Sequence, residues 1–540
     1  MLKTFKRGIF TGDTVLVLFV LLIVLWIPWL GETPFYSKGE PREAVVAMTM
    51  LQSGDWVLPV NAGSEIPFKP PFLAWMIAVL AWVFNGSVVN EFISRLPSAI
   101  AATAMIMGGY YWVRDCRGKK FAFTMALVTA TSFEVYRAAT ACRLDMVLTA
   151  AMVGAIYLVY TARERRGRDN VGLWAGAAGL LTVATLTKGP VGSLLPCLIL
   201  GIYLLVRKDN FFKTLGKMVL LCLVSFLIPA LWYYAAWKRG GDMFFDLMWE
   251  ENVGRLLGTM SYASHEKPVW YVFVTILLGM MPWTIYFGAC LFRSANYHKW
   301  PLKPSGQLAL VAALTVIVFY CIPLSKRSVY LLPAYPFMAY GITALITELR
   351  ETGINRFYGR LMAWIGVIVP IVVAVLALVP DNPFVPGFHM KLGWFAYIIL
   401  AVPVVASIWW LMGRTYSSVG MPAVWSLLFA YGAAVMPAVF AEPLHTPEAR
   451  AAFESLKSPG EKYSFTSTGH ATTYWYNYYL NDGLHILTPG PEFDALRPGA
   501  RLVVSNPSDT ILLPASHWSI ASMGFNPDVR REAYLATKIR

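Results

Sequence analysis

Three ionisable residues lie close together in the segment YSKGEPREAVVAM, residues 36–48: Glu40, Arg42 and Glu43. A carboxylate can accept a proton from an attacking hydroxyl, and a guanidinium can hold a phosphate and stabilise its departure. The segment begins only a few residues after an apolar run at 14–30. Ionisable groups at a membrane boundary cost free energy unless they are paired, hydrated or used. This stretch is therefore the first candidate for a functional site.

Further groups of the same chemical kinds lie in short links between apolar runs. They are Lys69, Asp145 in CRLDMVL, Arg255 and His265 in the loop 237–267, and Lys326 and Tyr330 in SKRSVYLLPAYP. Each has a structural alternative: Asp145 and Glu40 could belong to helix starts, where acids are common, and His265 could be a solvated loop residue. Lys188, in TKGP at the end of an apolar run, is interpreted as a lysine that reaches the membrane surface.

A carboxylate beside a phosphate clamp at membrane level suits transfer of a group from a lipid phosphate. The sequence has no P-loop, no GxGxxG after a strand and no GxSxG, so the motifs for a soluble nucleotide donor or a serine hydrolase are missing.

The elements that must position these groups are apolar runs of helix length. About thirteen runs approach the ~20 residues that cross hydrocarbon, at 14–30, 92–113, 120–138, 145–161, 172–187, 190–206, 216–236, 268–290, 307–323, 329–347, 361–380, 393–412 and 420–440. The shorter run 71–84 and the segment 41–52 are predicted as helices that lie along the membrane surface in the first outer loop.

Basic residues predict the orientation. With a cytoplasmic N-terminus, every inner loop is basic, for example Arg114–Lys120 and Arg163–Arg168, as the positive-inside rule requires. Topology thus explains most of the net charge of +14 without a nucleic-acid surface. The candidate groups and the tail from 441 then lie on the outer side of the membrane.

Composition agrees, since 57% of the 540 residues are hydrophobic and 14% are charged. The tail differs from the rest: alternating segments such as KYSFTST and RLVVSN, with turn signals such as NDG, predict strands. We expect an all-α polytopic membrane protein with a transmembrane domain at 1–440 and a small C-terminal α/β periplasmic domain at 441–540.

The motifs, in this order, resemble the polyprenyl-phosphate-dependent membrane glycosyltransferases with the GT-C fold, which include bacterial lipid A aminoarabinose transferases and protein O-mannosyltransferases. The resemblance covers about residues 10–345 and rests on GEPREAVVAMTMLQSGDWVLP, PFKPPFLAW, RLPSAIAA, CRLDMVL, LTKGPVG, HEKPVWYV and SKRSVYLLPAYP. It implies donor phosphate contacts for Arg42 and Lys69, a place for Asp145 at the catalytic centre, and lipid-phosphate binding by Tyr330 and Lys326. Arg255 and His265 would belong to a loop that closes over the site.

Two positions depart from the family pattern. Gly39 stands where the family has the first acid of a D-E pair, so that Glu40 or Asp145 must supply the base. Phe68 stands where the aminoarabinose transferases have an acid that is associated with a metal. The resemblance therefore implies no certain cofactor, leaves a divalent metal open, and favours a sister group with a different sugar or acceptor.

The resulting hypothesis is a monomeric, inverting glycosyltransferase of the bacterial inner membrane that moves a sugar from a polyprenyl-phosphate carrier to lipid A or another envelope glycan. A protein acceptor is the alternative within the family. A transporter or flippase of a lipid-linked glycan is the alternative from another class, and a structural assembly module is a third. A flippase would place charges along a path within the spans, and the span centres have almost none.

Overall fold

The computed structural model of the chain describes residues 14–31, 33–35, 37, 39–59, 66–67, 69–165, 170–254, 266–284, 303–348, 353–378, seven positions between 401 and 412, 447–467, 473–526 and 531–540. The predicted site residues Arg255 and His265 lie outside these ranges, as do the predicted span 420–440 and most of 393–412.

The part of the chain before the tail is helical. Its helices are α1 (Thr14–Trp26), α2 (Gly39–Ser53), α3 (Phe72–Phe84), α4 (Glu91–Arg117), α5 (Lys119–Ala130), α6 (Phe133–Ala139), α7 (Leu144–Glu164), α8 (Val171–Lys188), α9 (Val191–Val206), α10 (Phe211–Trp249), α11 (Trp270–Gly279), α12 (Pro304–Cys321), α13 (Tyr335–Glu348) and α14 (Gly353–Leu378). A 3₁₀ segment, Ser328–Ala334, precedes α13. The helix α7 is central, because it packs against α4, α8 and α9 and is buried along most of its length.

Six helical segments in the described part are long and apolar enough to cross a membrane: Glu91–Arg117, Leu144–Glu164, Val171–Lys188, Phe211–Gly254, Pro304–Cys321 and Ser328–Thr347. Others, such as α1, α3, α9 and α11, are apolar but shorter. The mostly helical class is confirmed, and the count of about thirteen spans stays a prediction. The helices expected at 41–52 and 71–84 are present as α2 and α3.

One predicted span is interrupted. The run 120–138 forms two helices, α5 and α6, with a break at Thr131 and Ser132. There the Trp283 indole donates to the Thr131 hydroxyl at 3.0 Å, and the Phe133 amide donates to the Met281 carbonyl at 3.0 Å. The Phe133 amide, which a continuous helix would pair with a carbonyl of its own preceding turn, is thus paired with a residue from a distant part of the chain.

The tail contains the small sheet that its alternating pattern predicted. Its elements are α15 (Pro447–Lys457), β1 (Lys462–Phe465), α16 (Tyr474–Leu480), β2 (His485–Leu487), α17 (Pro491–Asp494), β3 (Arg501–Val504), β4 (Trp518–Asn526) and β5 (Arg531–Lys538). The strand order is β2-β1-β3-β5-β4, with β1 parallel to β2 and β3, and β5 antiparallel to β3 and β4. The buried aromatic residues of α16, including Trp475 and Tyr476, belong to the same hydrophobic core as the helical part.

Candidate functional site

The N-terminus of α2 is anchored by a fully buried ion pair. The Arg95 Nε atom of α4 lies 2.9 Å from Glu40 Oε1, and both side chains are at most 1% exposed. The other guanidinium nitrogens of Arg95 donate to the carbonyls of residues 30, 33 and 34. Glu40 also accepts from the Cys142 amide at 3.1 Å and from the Ser37 hydroxyl at 3.2 Å. Oε1 of Glu40 therefore holds α2 against α4 and the segment before α7, while Oε2 accepts from Ser37 just before α2.

One turn further along α2, a second carboxylate, that of Glu43, contacts two cationic side chains. Glu43 Oε1 lies 2.8 Å from Arg42 Nη2 and 3.0 Å from Lys69 Nζ. Burial lowers the pKa of Lys69 to about 8, and the positive charge of Arg42 acts in the same direction against the pull of Glu43. Burial works against ionisation of Glu43, but Lys69 and Arg42 outweigh it and hold its pKa below the usual range. The group carries one net positive charge when Lys69 is protonated.

These three residues line a cleft of about 470 Å³ measured to its open mouth. Its other walls are apolar and include Val46, Pro70 and Trp232. A cleft lined by two cations, one carboxylate and several apolar side chains suits a ligand that joins a phosphate to a hydrocarbon chain.

The first outer loop is fixed against the long helix α10 on the far side of this cleft. The Trp232 indole donates to the Val57 carbonyl at 3.0 Å. Asp55 accepts from the amides of Val57 and Leu58 and pairs with Arg239. The loop that carries one wall of the cleft is therefore tied to the helix that carries another.

Asp145 lies in the first turn of α7, as its sequence position predicted, and its carboxylate is paired. Lys188 Nζ, at the end of α8, lies 2.5 Å from Asp145 Oδ1. The same ammonium lies 4.3 Å from the centroid of the Tyr330 ring, within the range of a cation–π contact. Positive charge on Lys188 also contributes to the lowered pKa of Lys69. Asp145, Lys188 and Tyr330 thus form a second cluster within electrostatic range of the first.

The structure separates the remaining predicted residues. Lys326 is only 5% exposed, and its ammonium donates to the Pro323 carbonyl of its own turn. That turn is joined to the end of the outer loop by the Lys267 amide, which donates to the Leu324 carbonyl at 3.2 Å. Arg255 and His265 lie outside the described residues. Four predicted residues, Arg42, Lys69, Asp145 and Tyr330, therefore belong to the two clusters, while Glu40 lies beside them as an anchor.

Three residues of this region were not predicted: Arg95, Lys188 and Arg143. Each stands in a motif that resembles the family, RLPSAIAA, LTKGPVG and CRLDMVL respectively. Their positions within these motifs were the sequence signal that could have pointed to them. The motifs do not show which residue each of the three contacts. The interpretation of Lys188 as a lysine that only reaches the membrane surface is incomplete, because its ammonium is paired with Asp145.

The C-terminal tail packs against the segment between α1 and α2 and against the start of α4. The Tyr479 hydroxyl of α16 donates to Glu91 at 2.6 Å and accepts from the Phe35 amide at 3.0 Å. The Tyr478 hydroxyl donates to the Val89 carbonyl at 3.0 Å, and its ring centroid lies 4.7 Å from that of Phe35. The aromatic helix of the tail thus fixes the segment that leads from α1 into α2.

Metal binding has no identified ligand set. Among the described residues, no three His, Cys, Asp or Glu side chains are grouped closely enough to hold a metal ion. Phe68 and His265, which bear on the metal question raised by the sequence, are both outside that part of the chain.

Comparison with known proteins supports a membrane glycosyltransferase, the class of protein that this site suits. The family model described as dolichyl-phosphate-mannose-protein mannosyltransferase matches residues 68–234. The chain also has the fold of two crystal structures of ArnT from Cupriavidus metallidurans. The apo form has a TM-score of 0.74 at 22% identity and covers 96% of this chain and 97% of that one. The form bound to undecaprenyl phosphate has a TM-score of 0.72 at 21% identity and covers 97% and 98%.

Two curated relatives carry the name undecaprenyl phosphate-alpha-4-amino-4-deoxy-L-arabinose arabinosyl transferase. The protein of Aeromonas salmonicida is 29% identical over 68% of this chain, and that of Aeromonas hydrophila is 27% identical over 65%. The alignments span 66% and 64% of those relatives' own lengths, respectively. The predicted resemblance to polyprenyl-phosphate-dependent membrane glycosyltransferases is confirmed.

Proposed function

We propose that this chain is an inverting glycosyltransferase that takes a sugar from a polyprenyl-phosphate carrier and transfers it to an acceptor on the periplasmic side of the membrane. The observation that carries the proposal is that the two clusters of charged residues lie within electrostatic range of each other. A cleft lined by Arg42 and Lys69 is suited to the lipid phosphate, and Asp145 with Lys188 supplies a carboxylate and a cation within electrostatic range of Lys69.

The reaction is a single displacement. The acceptor oxygen bonds to the anomeric carbon while the bond from that carbon to the donor phosphate oxygen breaks, and the phosphate leaves with the electron pair. Asp145 accepts the proton of the acceptor hydroxyl. Arg42 and Lys69 stabilise the charge that develops on the departing phosphate, an effect that is strongest where water is excluded.

Asp145 is preferred over Glu40 as the base because of their surroundings. Glu40 is fully buried and holds Arg95, so that its exchange of partners would leave a buried guanidinium unpaired. Asp145 is 10% exposed in its side chain and pairs with a lysine that is 20% exposed. An approaching acceptor can therefore reach Asp145, whereas Glu40 serves to position α2.

Several finer features belong to the proposal. The sugar is a pentose or hexose, the acceptor is lipid A or another envelope glycan, and Arg255, His265, Lys326 and Tyr330 contribute to substrate binding. The chain acts as a monomer, with about thirteen spans, a transmembrane domain at 1–440 and a periplasmic domain at 441–540.

Enzyme fusions test the proposed orientation in the membrane. Alkaline phosphatase fused after residue 540 should be active in cells, and the same enzyme fused after residue 165 should be inactive.

The decisive test uses purified full-length protein in nanodiscs with a panel of undecaprenyl-phosphate sugars and lipid A. Transfer from one donor is expected, with loss of activity in Asp145→Asn and Lys69→Met. Lys238→Gln, which removes an exposed cation of α10 that contacts the Tyr234 and Trp237 rings, should retain transfer. Near-normal activity of both site variants would refute this assignment of the site.

A further inference from the structure

The start of α2 faces the Arg143 guanidinium, which pairs with no carboxylate in the part of the chain that the structure describes. At Gly39, an added Cβ atom would lie 3.7 Å from both Cζ and Nε of Arg143 and 3.8 Å from its Nη2. The Arg143 Nε atom is buried from solvent and, within the described part of the chain, no acceptor lies within hydrogen-bonding distance of it. Arg143 also forms no ion pair with any described residue. A buried donor that is left unsatisfied costs free energy.

Arg143 is held in this position by its backbone. Its carbonyl accepts from the Ser98 hydroxyl of α4 at 3.2 Å, and its amide donates to the Ala141 carbonyl at 2.9 Å. The guanidinium therefore lies beside Gly39 because the link between α6 and α7 is fixed there.

The nearby acids are already committed to other cations. Glu40 pairs with Arg95 and Asp145 pairs with Lys188. The positive charges of Arg137 and Arg327 are near enough to act against that of Arg143. Arg137 is itself paired with Glu134, whereas the Nε atom of Arg143 has no acceptor among the described residues.

We propose that Gly39 and Arg143 form a second anion subsite, which binds a carboxylate or phosphate group of the substrate other than the lipid phosphate. Position 39 carries no side chain beside the guanidinium, and a carboxylate or phosphate oxygen there would satisfy Arg143 with charge-assisted hydrogen bonds. This inference deepens the proposed function, on which it rests, by naming an acidic substrate. The acid is carried either by the transferred sugar or by the acceptor.

The test compares soluble sugars that differ in one acidic group. Glucose 1-phosphate and glucuronic acid 1-phosphate test an acid on the transferred sugar, and glucosamine and glucosamine 6-phosphate test an acid on the acceptor. Binding to full-length protein in nanodiscs is measured by calorimetry. Wild-type protein is expected to prefer the acidic member of one pair by about tenfold or more, and the pair that shows this preference identifies the source of the acid.

Matched variants at position 39 separate charge from bulk. Gly39→Asp places a carboxylate against Arg143 and should reduce the preference to about one. Gly39→Asn adds similar bulk without the charge, so it should weaken binding of both members of the pair but leave the acidic one preferred, since its Cβ lies at an ordinary contact distance from the guanidinium. Thermal unfolding of both variants checks that they fold. Equal binding within both pairs in wild-type protein, or an unchanged preference in a folded Gly39→Asp protein, overturns the subsite.

A separate arm measures binding of undecaprenyl phosphate to the same proteins. Wild-type protein and both variants are expected to bind it alike, because Arg42 and Lys69 are unchanged. Failure of wild-type protein to bind this lipid counts against the proposed function, whereas lipid binding without any preference for acidic sugars counts against the subsite alone.

Discussion

Lys188 Nζ and Asp145 Oδ1 lie 2.5 Å apart, which joins the end of α8 to the first turn of α7. The contact gives the proposed base a partner that orients its carboxylate, and the ring of Tyr330 fixes the lysine from its other side. Both residues stand at helix termini that are packed together, so that their separation is set by the helices and not by a mobile loop.

Replacement of this lysine should impair catalysis more than folding. We expect Lys188→Met to lower kcat by about 100-fold, because loss of a fixed carboxylate geometry costs on this order. Lys188→Arg should recover part of the rate. Lys217→Met, which removes a cation that contacts the Trp174 ring, is the matched control and should keep the wild-type kcat. A Lys188→Met protein with wild-type kcat would show that the pair does not serve the reaction.

Glu40 should behave as an anchor when it is altered. Glu40→Gln leaves Arg95 buried without its carboxylate, and loss of one partner of a buried pair costs about 3–5 kcal/mol. We expect a clear fall in the thermal unfolding midpoint in detergent. Asp145→Asn should unfold closer to the wild-type temperature, because its partner Lys188 keeps 20% of its side chain exposed and can turn its ammonium to water when the ion pair is lost.

Kinetics of the same two variants give the complementary result. Whatever Glu40→Gln protein remains folded should still transfer sugar, while folded Asp145→Asn protein should not. The reverse pattern, with a stable but inactive Glu40→Gln protein, would return the role of base to Glu40.

The helical elements followed from the sequence because an apolar run of sufficient length has few other structures open to it in a membrane. The break between α5 and α6 did not, since it depends on hydrogen bonds from Trp283 and to Met281, about 150 residues away along the chain. Local pattern carries no information about such partners.

The candidate site, like the fold, could be predicted from the sequence only in part. Residue types and motif positions indicated Arg42, Lys69 and Asp145 as chemistry-bearing groups, and they lie in the two clusters. The sequence could not separate the roles of Glu40 and Asp145, because that distinction rests on Arg95, which is 55 positions from Glu40. Likewise, Gly39 was visible as a missing acid, but only the fold shows that Arg143 lies opposite it.

Donor binding should weaken as the pH rises through about 8. The pKa of Lys69 is lowered to about 8 by burial and by Arg42, so that the ammonium is charged below this pH and neutral above it. The lysine binds phosphate only when charged. For one such group, KM for the donor should rise about fivefold between pH 8 and pH 9, as the charged fraction of Lys69 falls from about a half to about a tenth. Initial rates over a donor series at each pH measure this.

A guanidinium at position 69 is the control for this dependence. Lys69→Arg keeps its charge over the whole range, and its KM should stay level between pH 7 and 9. Glu43 does not confuse the result, because its lowered pKa keeps it ionised throughout. A wild-type KM that does not change up to pH 9 would remove Lys69 from the phosphate site.

Removal of one hydroxyl should loosen the tail from the first outer loop. Tyr479→Phe deletes the donor to Glu91 and the acceptor of the Phe35 amide, and a hydrogen bond to a charged group contributes about 1.5–3 kcal/mol. Because Phe35 precedes α2, which carries Arg42, we expect faster hydrogen exchange at residues 33–48 and a raised KM for the donor. Tyr534→Phe is the matched control: its hydroxyl bonds to the exposed Glu532 within the tail, and its loss should change neither quantity. If Tyr479→Phe leaves exchange at 33–48 as slow as in the wild type, the tail does not hold the first loop through this contact, and its role must lie elsewhere.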